Sequence, residues 1–235
     1  MQFIEVTELG ARSAVITLRR RETPLRFMLF PMVHIASPVF YDQVRARLAD
    51  CDLIVAEGVT GKSRQAQVLT TAYRFAPRRR RNGLVEQADA VVLPAGVPWV
   101  NPDVTAAAAV AELRRRLPRP TYLLLLLAAP LFGLLFALRG PSVFLDREAM
   151  EVSDFPTTAA AEALLEHQIS RAMLDRRDRL LLDELGRIHA ARSQEPITVA
   201  VVYGAEHMRA VVYGLLTAYG YRPRSGEWIP VYLPR

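Results

Sequence analysis

Three short apolar runs, each leading to a residue able to do chemistry, constrain this chain more than any other feature. Phe27-Met28-Leu29-Phe30-Pro31-Met32-Val33 stops at His34, and Leu53-Ile54-Val55-Ala56 stops at Glu57. The third run, Ile197-Thr198-Val199-Ala200-Val201-Val202-Tyr203-Gly204, leads into His207. Short runs rich in β-branched residues and apolar at successive positions read as strands buried on both faces, as in sheets covered by helices. Between the first two runs, Ser37-Pro38 has the residues of a helix start: serine as the cap, proline at the first helical position. Phe40, Tyr41, Val44 and Leu48 give that helix one apolar face. A strand–helix–strand crossover makes its strands parallel and brings their carboxyl ends to one side of the sheet. That side is where open α/β sheets bind ligands.

The rest of the chain extends this unit. Residues 3–7 and 14–18 read as strands joined by short turns, an antiparallel opening. A long helical stretch with one break is expected over 159–189, a strand over 197–203 and a helix over 206–219. Met208, Val211, Val212, Leu215 and Leu216 give that last helix its apolar stripe, and Gly220 ends it. A short strand over 229–233 closes the chain, tempered by Pro230 and Pro234. The expected fold is α/β: one domain with a mixed β-sheet core from residues 1–60 and 158–235, flanking helices, and a helical, partly very apolar insertion over 61–157. Within the insertion, prolines 94, 98 and 102 make 91–104 an irregular loop, and 105–117 is alanine-rich and helical.

Residues 122–138 follow, seventeen positions without a charge. As a helix they span roughly 25 Å, the lower edge for a bilayer crossing. A single crossing would place His34 and His207 on opposite sides of a membrane. Basic residues flank both ends, Arg114, Arg115, Arg116 and Arg119 before, Arg139 and Arg147 after, which suits both ends on one face. The expectation is a re-entrant or interfacial hairpin bent at Pro130, or a helix in a homo-oligomer interface; a buried core helix satisfies the length equally. The amino end lacks the basic and apolar regions of a signal peptide, so a cytoplasmic, membrane-associated protein is expected. Net charge is +6, nearly all arginine, with clusters at 19–21, 78–81 and 114–116. They read first as solvated surface and second as attraction to anionic lipid. Nucleic acid is not an expected partner, because neither stacking aromatics nor a recognition helix stands beside them. The lone cysteine, Cys51, excludes an internal disulfide and a multi-cysteine zinc site.

Two imidazoles and a carboxylate at strand ends suit a divalent-metal site with positions open to water and substrate. Glu57, directly after four apolar residues, is expected to be half-buried, which is costly unless it is paired, protonated or metal-bound. Arg177 or another arginine can supply the pairing without any catalysis. His207 falls in a helix's first turn, a position expected to face solvent, and Glu206 beside it suits the same helix end. Asp175-Arg176-Arg177-Asp178 reads as a solvated charge cluster, and His167 and His189 as surface residues. Phosphate-loop, Gly-x-Ser-x-Gly and His-Glu-x-x-His patterns are absent.

Pro31-Met32-Val33-His34, Leu53 to Glu57, Arg176-Arg177-Asp178-Arg179-Leu180, and Val201-Val202-Tyr203-Gly204-Ala205-Glu206-His207 closed by Gly220-Tyr221 together resemble the TraB/PrgY–Tiki–GumN group. That group pairs two Gly-x-x-His motifs with a strand-end glutamate and an Arg-Asp or Arg-Asn helix. The resemblance covers residues 26–58 and 170–222. Pro31 stands where the first motif has glycine, and Glu206 where the family has a small residue. The resemblance implies a metal-dependent, peptidase-like hydrolase. His34, Glu57 and His207 would hold a divalent ion (Mn, Co or Zn), Glu206 would shuttle protons, and Arg177 and Asp178 would orient Glu57 or bind a carboxylate of a peptide or small-molecule substrate. The alternative is a non-catalytic, membrane-associated regulatory protein holding a peptide or haem-like ligand in the same cleft.

Overall fold

The computed structural model describes residues 1–58, 83–87, 93–124, 126–128 and 162–233. Alternating apolar positions near the amino end form β1 (Ile4–Thr7), β2 (Gly10–Arg19) and β3 (Arg26–Met32). β1 and β3 both pair antiparallel with β2. A two-residue strand, β4 (Ile35–Ala36), leads to α1 (Pro38–Leu48), whose first turn is capped where Ser37 Oγ accepts the Phe40 N–H at 3.2 Å. Phe40, Tyr41, Val44 and Leu48 are its buried residues, as the spacing requires. β5 (Leu53–Ala56) is buried throughout. β6 (Val85–Glu86) pairs with β4, and β7 (Trp99–Val100) runs parallel to β5. α2 (Ala106–Arg116), capped by Thr105, and α3 (Glu162–Arg192) precede β8 (Thr198–Gly204). A 3₁₀ turn (Ala205–His207), α4 (Met208–Tyr219) and β9 (Arg222–Tyr232) complete the described chain.

The main sheet is mixed, in the order β1-β2-β3-β8-β5-β7, with β9 on β2. β8 lies between β3 and β5 and is parallel to both. Register sets Met32 opposite Gly204 and Ala56 opposite Val202, so three strands end together. Successive strand residues go to opposite faces. Phe30, Met32, Ile54, Ala56, Ala200 and Val202 pack with α1, whereas Phe27, Leu29, Leu53, Val55, Val199, Val201 and Tyr203 pack with α3 and α4. Burial on both faces is why these strands read as unbroken apolar runs.

Four features depart from the sequence expectation. β7 lies within the stretch expected to be an irregular loop, because two residues are too short to show a period. β9 has eleven residues rather than five; its first seven are exposed and carry no alternation. It pairs with β2 alone, so its prolines interrupt no second ladder. α3 is continuous, without the expected break. Leu216 lies at the rim of α4, 36 % exposed, while Met208, Val211 and Leu215 are buried. Pro31 is accommodated because the β2–β3 ladder already ends at Ile16 and Leu29, and the Pro31 carbonyl accepts from the buried Ser13 hydroxyl at 2.7 Å. Positions 122–124 and 126–128 are helical, with Tyr122 buried and Leu123, Leu124 and Leu127 exposed. Pro130 and the rest of the apolar segment lie outside the described residues. Among the described residues no helix is long and apolar enough to cross a membrane.

Candidate functional site

Alternation along β5 sends Leu53 and Val55 to the α3 face, and Glu57 emerges on that same side. Arg177 of α3 meets it there. Its Nη2 donates to Glu57 Oε1 and, at 2.7 Å, to Asp103 Oδ2, while its Nε donates to Asp103 Oδ1 at 2.9 Å. Arg177, Glu57 and Asp103 side chains are only 13 %, 14 % and 0 % exposed. Asp103 also accepts the N–H groups of Val104 at 2.7 Å and Gly58 at 3.2 Å. Burial alone would raise the Glu57 carboxyl, but the Arg177 charge, then His207 and the Gly204 N–H, outweigh it and hold the group below the usual range. Burial likewise opposes ionisation of Asp103, and hydrogen bonds and charge from Arg177 hold it low. The guanidinium, penalised by burial, is raised on balance by the same two carboxylates.

Glu57 Oε2 accepts the Gly204 N–H at 2.5 Å, tying the end of β5 to the end of β8. A Cβ at Gly204 would lie 3.3 Å from that oxygen and 3.7 Å from His207 Cδ2. The first distance is tight and would press on the carboxylate, whereas the second is ordinary contact. His207 closes the 3₁₀ turn and is fully buried, which corrects the expectation that this position faces solvent. The turn following Gly204 folds the imidazole back over Tyr203, with ring centroids 5.5 Å apart and planes at 87°. Its Nδ1 is 2.6 Å from Asp178 Oδ1, and its Nε2 is buried without a hydrogen-bond partner. Glu206 Oε1 lies 3.7 Å from that nitrogen, on a side chain that is 47 % exposed. The Tyr203 hydroxyl is also buried and unpartnered; burial first, then the charges of Asp103 and Glu57, push its pKa up.

The structure therefore brings Glu57, Arg177, Asp178, Glu206 and His207 into one region at the carboxyl ends of β5 and β8. His34 stands at the end of β3 with an exposed side chain, and its carbonyl accepts the Gln87 N–H at 2.8 Å. Arg177 and Asp178 are not the solvated surface their cluster suggested. Asp175 and Arg176 are exposed, and the next two positions turn towards the sheet. His189 is half-buried against Tyr219, with Nδ1 3.1 Å from the Tyr221 hydroxyl, rather than a plain surface residue; the side chain of His167 lies outside the described residues. Sequence reasoning missed Asp103. It lies three positions after β7, whereas Glu57 directly follows β5, so even a recognised strand would have pointed first to Asn101.

For a metal, the donor set fits at one residue. A buried imidazole with a carboxylate on one nitrogen and no partner on the other is arranged as metal-binding histidines are. Both Glu57 oxygens are already engaged, and His34 is at the surface. Among the described residues no three His, Cys, Asp or Glu side chains are grouped to hold an ion. Comparison with protein families, curated proteins and solved structures returns no match for this chain, so the functional reading rests on this geometry.

Proposed function

We propose that the chain is a hydrolase whose working group is His207, oriented by Asp178. The observation that carries this reading is the buried ring with Nδ1 on a carboxylate at 2.6 Å and Nε2 unpartnered. In the neutral ring, Nδ1–H donates to Asp178 and Nε2 keeps its lone pair. That lone pair takes a proton from a water molecule as the water attacks the scissile carbonyl; the imidazolium, stabilised by Asp178, then gives the proton to the leaving amine as the C–N bond breaks. Glu206, half-exposed and 3.7 Å away, is placed to pass protons between Nε2 and solvent. Arg177 spends its donors on Glu57 and Asp103, which makes it a positioning residue that braces the ends of β5 and β8. A peptide bond is the substrate class that the family resemblance supports.

A metal-dependent form of the same hydrolysis is favoured by the same unpartnered nitrogen. In that form His207 would hold a divalent ion, which would supply an acidified water and polarise the scissile carbonyl. The test is turnover of a mixed fluorogenic peptide library, with and without Mn²⁺, Co²⁺ or Zn²⁺. His207→Ala is expected to lower any turnover by on the order of 10²–10⁴-fold. Metal-dependent thermal stabilisation of the wild type that disappears in this variant selects the metal form. Turnover that survives the substitution refutes the reading. Tight binding of a peptide or haem without turnover selects the non-catalytic alternative.

A further inference from the structure

At the opposite end of the parallel strands, arginines gather where folding alone gives no reason for them. Arg19 at the end of β2 is directly opposite Arg26 on β3 and Arg222 on β9. Residues directly opposite across a sheet share a face, so three guanidinium side chains stand side by side on adjacent strands. Like charges in this arrangement oppose folding. Next to this row, Arg19, Arg20, Arg21, Arg224 and Ser225 line an open surface depression of about 430 Å³. The turn between β2 and β3 brings a single carboxylate to the six arginines. That residue is Glu22, 83 % exposed, whose one contact here is with Arg20 at 3.5 Å. Of the carboxylates near the start of β5 and β8, Asp52 accepts the Thr198 N–H at 2.8 Å and Glu195 pairs with Arg192 at 2.7 Å, while the exposed Asp50 is paired with none of the six arginines. Arg19, Arg21, Arg222 and Arg224 have no side-chain partner among the described residues. A planar guanidinium fork matches phosphate oxygens two at a time, and several forks around one concavity match several phosphates.

We propose that this open depression binds a ligand carrying clustered phosphate groups. Neighbouring phosphates neutralise the row of like charges and supply the acceptors that the protein itself does not provide. The chemistry is shared by a soluble polyphosphorylated molecule and by the headgroup of a multiply phosphorylated lipid. The site lies at the amino ends of β3 and β8, away from His207, and does not depend on the hydrolase reading.

The test uses the full chain and two probes: inorganic tripolyphosphate by calorimetry, and phosphatidylcholine vesicles with and without phosphatidylinositol bisphosphate by co-sedimentation. Arg19→Gln/Arg224→Gln is expected to weaken binding about tenfold or more, the loss of one or two charge-assisted contacts. The charge-matched control Arg114→Gln/Arg179→Gln, at exposed positions on α2 and α3 away from this end of the sheet, is expected to leave it unchanged. Arg21→Gln alone is the milder second variant, expected to weaken binding in the same direction. Tripolyphosphate binding with this dependence supports a soluble ligand. Vesicle binding alone, with the same dependence, supports a lipid headgroup. Binding of neither probe, or binding weakened equally by the control, overturns the proposal.

Discussion

Replacing Arg177 with methionine keeps the length of the side chain and removes the charge that two buried carboxylates share. The Asp103 side chain is fully buried and that of Glu57 is 14 % exposed, so neither regains full hydration when the guanidinium is lost. Removing one partner of a buried ion pair costs about 3–5 kcal/mol. For a chain of this size that corresponds to a fall in Tm of about 6–20 °C. The pH dependence follows from the direction of the shifts. Both carboxyls are held low in the folded wild type, so they contribute stability above their unfolded values, about 4.3 and 3.9. That contribution is lost as pH falls through the folded values. Without Arg177, burial dominates and the carboxyls resist ionisation, so the variant's deficit is largest at neutral pH and narrows as pH falls towards 5. Urea unfolding of both proteins at pH 7.5 and pH 5 measures this. A loss under about 1 kcal/mol, the range of a surface ion pair, would refute the claim that Arg177 braces the site. An equal loss at both pH values would refute its electrostatic cause. The triple variant Glu57→Gln/Asp103→Asn/Arg177→Met should recover much of the loss, because no buried charge remains.

Gly204→Ala places a Cβ 3.3 Å from Glu57 Oε2, so it should destabilise by about 1–3 kcal/mol through overpacking and impair any turnover, measured by unfolding and by the peptide assay. The Cys51 thiol, buried and beside Asp52 and Asp50, is pushed up to about 11; it should alkylate far more slowly at pH 8 in the native protein than in urea, and equal rates would contradict its burial.

The parts of the fold legible in the sequence were those with many residues in one period. The apolar runs ending at His34 and Glu57 and the stripe of α1 placed three elements and the crossover between them. β7 was not legible because Trp99 and Val100 span less than one useful period. Most of β9 was not legible because an edge strand pairs through its backbone and can leave its side chains polar. The site shows the same division. That Glu57 needs a partner followed from the cost of burying a carboxylate at a strand end; that Arg177, among the arginines, supplies it is seen only in the fold. The burial of His207 did not follow, because a first helical turn gives no sign of which way the chain has folded back. Asp103 was hidden because its role depends on a long-range contact with α3 and on a strand too short to see.

The proposed role of His207 requires one tautomer of its ring, and nitrogen NMR of ¹⁵N-histidine-labelled protein reads it directly. Recorded at a pH high enough that the ring is neutral, the wild type should show a protonated Nδ1 and an unprotonated Nε2, with Asp178→Asn abolishing that preference. A ring protonated at Nε2, or one whose tautomer ignores Asp178, would contradict the assignment of His207 as the working base or ligand.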